Sequence, residues 1–187
     1  MIPIKNKKKN FEYTVEEMRN YSFAYLEKYS PSKQQLKTYL LKKYLKSSSS
    51  KVKKNDLVEL IDIVLSDLEK NKFISDKYYS ETKAKNLIQR GSSINKIRNY
   101  LLSKGIQSKF IKETIDKINE NNDDQDFFSA VKLCKKKRIG PSRTDENRPL
   151  FYKKDIGILA RNGFSFETSQ RIMDLSKDDY NKIISLL

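Results

Sequence analysis

The chain has 187 residues, 37% of them hydrophobic, 34% charged and 11% aromatic, with 39 Lys and Arg against 24 Asp and Glu and a formal net charge of +15. A cation surplus of this size points to a polyanionic partner, nucleic acid first, or else to a solvated Lys-rich surface. The absence of His excludes every His-dependent base, triad and zinc site, and the single Cys134 excludes an intramolecular disulfide.

The opening MIPIKNKKKN is basic but is followed by no apolar stretch, so it does not read as a secretion signal. No apolar run approaches the length of about 18 residues needed to cross a bilayer. The expectation is a cytoplasmic protein with no membrane partner. In TVEEMRNYSFAYLEKYS, Thr14 with Glu17 three residues on is a capping-box pattern, and Val15, Met18, Tyr21, Tyr25 and Leu26 follow helical spacing. Pro31 suits the first turn of a second helix whose apolar face is Leu36, Tyr39, Leu40 and Tyr44. A polar linker, SSSSKVKKN (47–55), is expected to be mobile. Leu57, Leu60, Ile61, Val64, Leu65 and Leu68 then define a third helix. Asp56, Glu59, Asp62, Asp67 and Glu69 make it acidic, suited either to orienting the molecule on DNA or to pairing with a basic patch, including the one on its own second helix.

A second set of three helices follows. SDKYYSETKAKNLIQRG runs to a stop at Gly91, SINKIRNYLLSKG to a stop at Gly105, and QSKFIKETIDKINENN into the acidic break ENNDDQD (120–126). In the last third, FFSAVKLCKKKR (127–138) reads as a helix with a basic end, with Cys134 on its apolar stripe as a small core residue. IGPSRTDENR (139–148) reads as a turn-rich loop. LFYKKDIGILARNGF and SFETSQRIMDL supply two more helices, the latter with Ser165 as a cap, and SKDDYNKIISLL either extends the last helix or forms its own. The five glycines form no phosphate-cradling loop, and no cofactor is expected.

The chain repeats itself. Laying PSKQQLKTYLLKKYL (31–45) over SSINKIRNYLLSKGI (92–106) matches Ser32 with Ser93, Tyr39 with Tyr100, Leu40 with Leu101, Leu41 with Leu102 and Lys43 with Lys104. Further on, Leu159, Gly163 and Phe164 answer Leu101, Gly105 and Ile106. An offset of about 60 residues lies in the range of stacked helical units. The expected fold is therefore all-α: an elongated, curved tandem array of three three-helix repeats, in which each unit buries a thin core. The expected divisions are a basic tail over 1–13, a first repeat over 14–74, a second over 75–124 and a third over 125–187.

With FISDKYYSE (73–81), the RG at 90–91 and INKIRNYLLSKGI (94–106), the sequence resembles the bacterial RecX family. Asp76 and Tyr79 match the entry of the family's central repeat, and Ile97, Arg98, Leu101, Lys104, Gly105 and Ile106 match its basic helix in register. LARNGFSFETSQRIM (159–173) is similar to the family's closing segment through Leu159, Arg161, Gly163, Phe164 and Ile172. The resemblance covers nearly the whole chain from Thr14 onward. It implies a non-enzymatic modulator of the RecA recombinase, a monomer lying in the groove of the RecA filament. Such a protein inhibits strand exchange and ATP hydrolysis and in some cases binds DNA itself.

The stretch from Arg90 to Lys112 holds six cations and no acid, which makes Arg90, Lys96, Arg98, Lys104, Lys109 and Lys112 the candidate face for nucleic acid or filament. Lys135, Lys136, Lys137 and Arg138 form a second basic run, either a DNA contact or a charge complement to a helix C-terminus. Arg143, Arg148, Arg161 and Arg171 are the candidate contacts to partner protein, because Arg pairs bidentately with carboxylates. Tyr78, Tyr79 and Tyr100 suit either base stacking or the core. A metal-dependent nuclease would have to draw on Asp62, Asp67, Asp123 or Asp124, none of them seated in a recognisable motif.

Overall fold

A computed structural model describes residues 12–47, 53–121 and 124–187. The parts of the N-terminal tail, the 47–55 linker and the acidic break that fall at 1–11, 48–52 and 122–123 lie outside the described residues. Among the described residues there are ten α-helices, one 3-10 turn and no strand. The helices are α1 (Val15–Leu26), α2 (Lys33–Ser47), α3 (Lys54–Lys70), α4 (Asp76–Gln89), α5 (Ile94–Ser103), α6 (Ser108–Asn121), α7 (Gln125–Lys137), α8 (Asn147–Arg161), α9 (Phe166–Met173) and α10 (Lys177–Ser185). The expected array of three three-helix repeats would use nine of these. The tenth is the segment whose state the sequence left open: Ser176 accepts the N–H of Asp179 at 3.0 Å and starts α10 as a helix of its own. The chain divides into two compact units, Met1–Asp76 and Lys77–Leu187.

In the first unit the apolar positions at spacings of three and four converge on one core of Met18, Leu36, Leu40, Tyr44, Leu57, Ile61, Val64, Leu65, Leu68 and Ile74. Thr14 accepts the N–H of Glu17 as expected, while the Glu17 carboxylate accepts from Tyr44 Oη at 3.3 Å. The reciprocal capping box sits one helix later: Ser32 N–H donates to Gln35 Oε1 at 3.0 Å, and Gln35 N–H donates to Ser32 Oγ at 3.2 Å. Three of the five acids of α3 are answered within this unit, Asp62 by Lys37 at 2.6 Å, Asp67 by Arg19 at 2.9 Å and Glu69 by Lys33. These pairs are half-exposed and each contributes at most about 1 kcal/mol. Their larger effect is to offset part of the acidic helix with its own neighbours.

The second unit has two apolar clusters. One gathers Tyr79, Ala84, Ile97, Leu101, Ile106, Ile111 and Ile115 from α4 to α6, and the other is built on Phe127, Val131, Cys134, Leu159, Ile172 and Tyr180 from α7 to α10. Cys134 is fully buried, and burial pushes its thiol up to about 12, in keeping with a core residue. Gly91, at φ +74°, joins α4 to α5 against α7: a Cβ there would meet the Ser129 carbonyl oxygen at 2.8 Å and Leu133 N at 3.0 Å. Backbone touches backbone, so nothing can move aside.

Two carboxylates hold this unit in opposite electrostatic ways. Asp155 on α8 is fully buried and accepts from Gly140 N at 2.8 Å, Arg143 Nε at 2.6 Å and Arg143 Nη2 at 2.9 Å. Burial alone would raise its pKa, but the Arg143 guanidinium and the Gly140 N–H outweigh burial and hold the carboxyl below the ordinary value. Asp126, in the first turn of α7, accepts the N–H of Ile94 at 2.7 Å, and there burial outweighs the bond and raises the pKa.

Gly91→Ala should destabilise the chain by about 2 kcal/mol or more, since it combines a left-handed backbone with a backbone clash. Urea denaturation followed by circular dichroism measures this, and an unchanged midpoint would mean that the turn does not bear on α7. The two carboxylates give opposite pH signatures. The stability from Asp155 is present above its unfolded-state pKa and is lost as the pH falls through its lowered folded value. The contribution of Asp126 is present at low pH and is lost as the pH rises through its raised folded value. At pH 7, Asp155→Asn should cost about 3 kcal/mol by leaving Arg143 without its partner. Asp126→Asn, which keeps the acceptor and drops the charge, should leave the midpoint unchanged or raise it. A large loss from Asp126→Asn would contradict this assignment.

Candidate nucleic-acid interface

The basic stretch begins at a helix start that is tied down from two sides. Ser93 Oγ accepts the N–H of Lys96 at 3.1 Å and donates to the carbonyl of Asn162, in the α8–α9 turn, at 2.7 Å. Asp126 takes the next N–H, that of Ile94. The Asn162 turn comes so close that a Cβ on Gly163, at φ +87°, would lie 2.6 Å from Ser93 Oγ. Ile97 and Leu101 then bury one side of α5 completely, which fixes the direction of the residues on its other side.

The six cations of the candidate face do not form one cluster. Arg98 and Lys112 line a shallow groove of about 180 Å³ between α5 and α6, floored by Leu102, Ile111 and Ile115, with Asp116 at its edge. Lys109 is exposed one turn before Lys112. Lys96 reaches the other way and donates from Nζ to Asn162 Oδ1 at 2.9 Å. Lys104 lies with Nζ 5.2 Å from the centre of the Tyr100 ring. Among the described residues, Arg90, Arg98, Lys109 and Lys112 have no ion-pair partner.

Arg90 belongs with the second basic run. The turn it shares with Gly91 rests on α7 beside Lys132, whose Cβ would lie 3.2 Å from a Cβ at Gly91. Lys132 is three and four residues before Lys135 and Lys136, which places the three on the same face of α7. Lys132 thus joins the candidate basic surface although the sequence did not single it out, because its proximity to the Arg90–Gly91 turn spans some 42 positions and runs through a glycine. Lys135, Lys136 and Lys137 occupy the last turn of α7 and Arg138 caps it at φ +55°. All four are exposed, so they complement the helix C-terminus and face solvent at once.

The arginines assigned to partner contact are placed differently from one another. Arg143 forks onto Asp155, and Arg148 Nη2 donates to the carbonyls of Met173 and Leu175, closing the end of α9. Arg171 makes a two-pronged bond to Asp124 at 2.8 and 3.0 Å while its side chain stays 50% exposed. Arg161 is exposed, its guanidinium over Gly157. Of the tyrosines, Tyr79 is buried with its hydroxyl 3.4 Å from that of Tyr100, and Tyr78 is 69% exposed. The carboxylates of the nuclease alternative are engaged: Asp62 with Lys37, Asp67 with Arg19 and Asp124 with Arg171. Asp123 lies outside the described residues. Among the described residues no group of three or more His, Cys, Asp or Glu side chains could hold a metal ion, and no helix is long and apolar enough to cross a membrane.

No protein-family model matches the chain. Regulatory protein RecX of Myxococcus xanthus (strain DK1622) is 28% identical to it over 163 residues, a match covering 84% of each protein. Regulatory protein RecX of Agrobacterium fabrum (strain C58 / ATCC 33970) is 26% identical over 114 residues, covering 61% of this chain and 59% of that protein. Two solved structures share the fold. A crystal structure of regulatory protein RecX has a TM-score of 0.59 at 19% identity over 86% of this chain and 74% of its own. RecX from Lactobacillus salivarius has a TM-score of 0.59 at 16% identity over 92% of this chain and 97% of its own. Over most of its length the chain is thus similar in sequence to curated regulatory proteins named RecX, and it shares an all-helical fold with RecX crystal structures.

Proposed function

We propose that the chain is a non-enzymatic regulator of the RecA recombinase. In this reading it binds in the groove or at the end of the RecA–DNA filament and suppresses ATP hydrolysis and strand exchange, acting in the cytoplasm as a monomer without a cofactor. The observation that carries this reading is the likeness to Myxococcus xanthus regulatory protein RecX over 84% of both chains. Three apolar clusters, one from α1 to α3, one from α4 to α6 and one from α7 to α10, are what a tandem array of three helical repeats over 14–74, 75–124 and 125–187 would contain.

The charge distribution supplies a physical route. A recombinase filament on DNA offers acidic protein surface close to phosphates. Arg90, Lys132, Lys135 and Lys136 on one ridge, and Arg98, Lys109 and Lys112 on another, can each make a weak contact to it, and many such contacts sum by multivalency. Arg161, together with the exposed side of Arg171, is suited to carboxylates of the protein. Arg143 and Arg148 act through the architecture that holds those two in place.

Exposed cations that meet phosphates make binding fall steeply with salt. Replacing Arg90 and Arg98 together by Glu should therefore leave the helical circular-dichroism spectrum intact and weaken binding to recombinase-coated single-stranded DNA. The loss should be about tenfold or more at low salt and shrink towards physiological salt. Fluorescence anisotropy over a salt series measures this. An equal loss at every ionic strength would make the two arginines structural. Tighter binding to naked than to coated DNA would favour a general nucleic-acid-binding protein instead.

A further inference from the structure

Helices α4 and α6 do not close on each other along their whole length. Two short side chains, Ala84 on α4 and Thr114 on α6, stand where larger ones would meet, leaving an open cavity of about 430 Å³. Ile88 and Ile118 extend its aliphatic wall and Gln125 of α7 reaches one end. This volume lies within the range of sites that take a ligand group. Thr114 lines the cavity, is 3% exposed, and its Oγ1 has no hydrogen-bond partner among the described residues. A buried hydroxyl in that state is an unmet requirement beside an open space. On the rim, Lys117 is bound to Glu81 at 2.5 Å, whereas Lys85 is exposed and has no carboxylate partner among the described residues.

We propose that this cavity is a socket for one apolar side chain carried on an acidic segment of the partner protein. The apolar group fills the space over Ala84, Ile88 and Ile118. A carboxylate beside it meets Lys85, and a backbone polar group of the same segment satisfies the Thr114 hydroxyl. The lining sets Ala84, Ile88 and Ile118 among polar side chains and holds no aromatic face, which argues against a nucleic-acid base, because base recognition of this kind uses aromatic stacking. The free lysine and the +15 net charge favour an acidic partner segment over a basic one. The socket is distinct from the Arg98–Lys112 groove and adds protein recognition to the phosphate contacts made there. The inference rests on the recombinase reading of the preceding section.

The test compares wild type, Lys85→Glu and Thr114→Val for binding to two probes at one salt concentration: naked single-stranded DNA, and the same DNA coated with the cognate recombinase. Both variants should fold, and Thr114→Val should melt at a higher temperature because it removes the unsatisfied hydroxyl. Affinity for naked DNA should change by less than about twofold, while affinity for the coated DNA should fall about tenfold for Lys85→Glu and about threefold for Thr114→Val. Unchanged affinity of both variants for coated DNA overturns the socket and leaves the recombinase reading intact. A parallel loss on both probes overturns it too, by making Lys85 a DNA contact. Wild type showing no preference for coated DNA removes the recombinase reading and this occupant with it.

Discussion

At the seat of the Arg90–Gly91 turn on α7 one backbone rests on another with no side chain between them. That contact brings Arg90 beside Lys132 and starts α5 at Ser93, whose first free N–H groups are taken up by Ser93 itself and by Asp126 of the same α7. A similar arrangement appears in the first unit, where Ser32 caps α2 and Asp76 accepts the N–H of Lys33 at 2.8 Å. In both places a serine satisfies one helix-terminal donor and a carboxylate from further along the chain satisfies the donor two residues earlier. The carboxylate thereby sets the angle at which the basic helix leaves the turn.

Charge is handled unequally along the chain, and the inequality is informative. In the first unit Asp67, Glu69 and Asp62 of α3 meet Arg19, Lys33 and Lys37, so the acidic helix is partly offset by its neighbours. Residues 90–112 contain no acid to do the same, and the nearby carboxylates Glu81 and Glu113 are occupied by Lys117 and Lys77. The cations left over are the ones that face solvent. Elsewhere in the second unit cations and acids do pair, as at Lys117–Glu81 and Arg171–Asp124, and an evenly mixed solvated surface would not concentrate its acid-free cations in one stretch.

Local rules made most of the helices legible. Periodicity in Leu57–Leu68 and Phe110–Ile118, the Thr14 and Ser165 caps, and the stops at Gly91 and Gly105 each act over fewer than about five residues. Other features depend on distance along the chain. Nothing around Asp155 announces that it will be buried against Gly140 and Arg143. The role of Arg148 as a cap for α9 rests on carbonyls 25 and 27 positions away. Arg143, Arg148 and Arg171 show why arginine is ambiguous in a sequence: the fork that suits a partner's carboxylate suits an internal one equally well. The loop read over 139–148 contains a 3-10 turn at Gly140–Ser142 and the first residues of α8, because the Asp155 carboxylate supplies the order that the Gly-Pro sequence lacks. For the site, the acid-free stretch was visible, but its division into a ridge with α7 and a groove with α6 was not, since that division is set by packing.

The central claim is that exposed, unpaired cations on a rigid helical scaffold engage a recombinase filament and restrain it. The most direct measurement is the ATPase rate of the cognate recombinase on single-stranded DNA as this chain is titrated in. The account predicts a rate that falls with added protein, and falls at well below one copy per recombinase protomer if the chain blocks growth at filament ends. A rate that stays constant through a several-fold excess of the chain would contradict it.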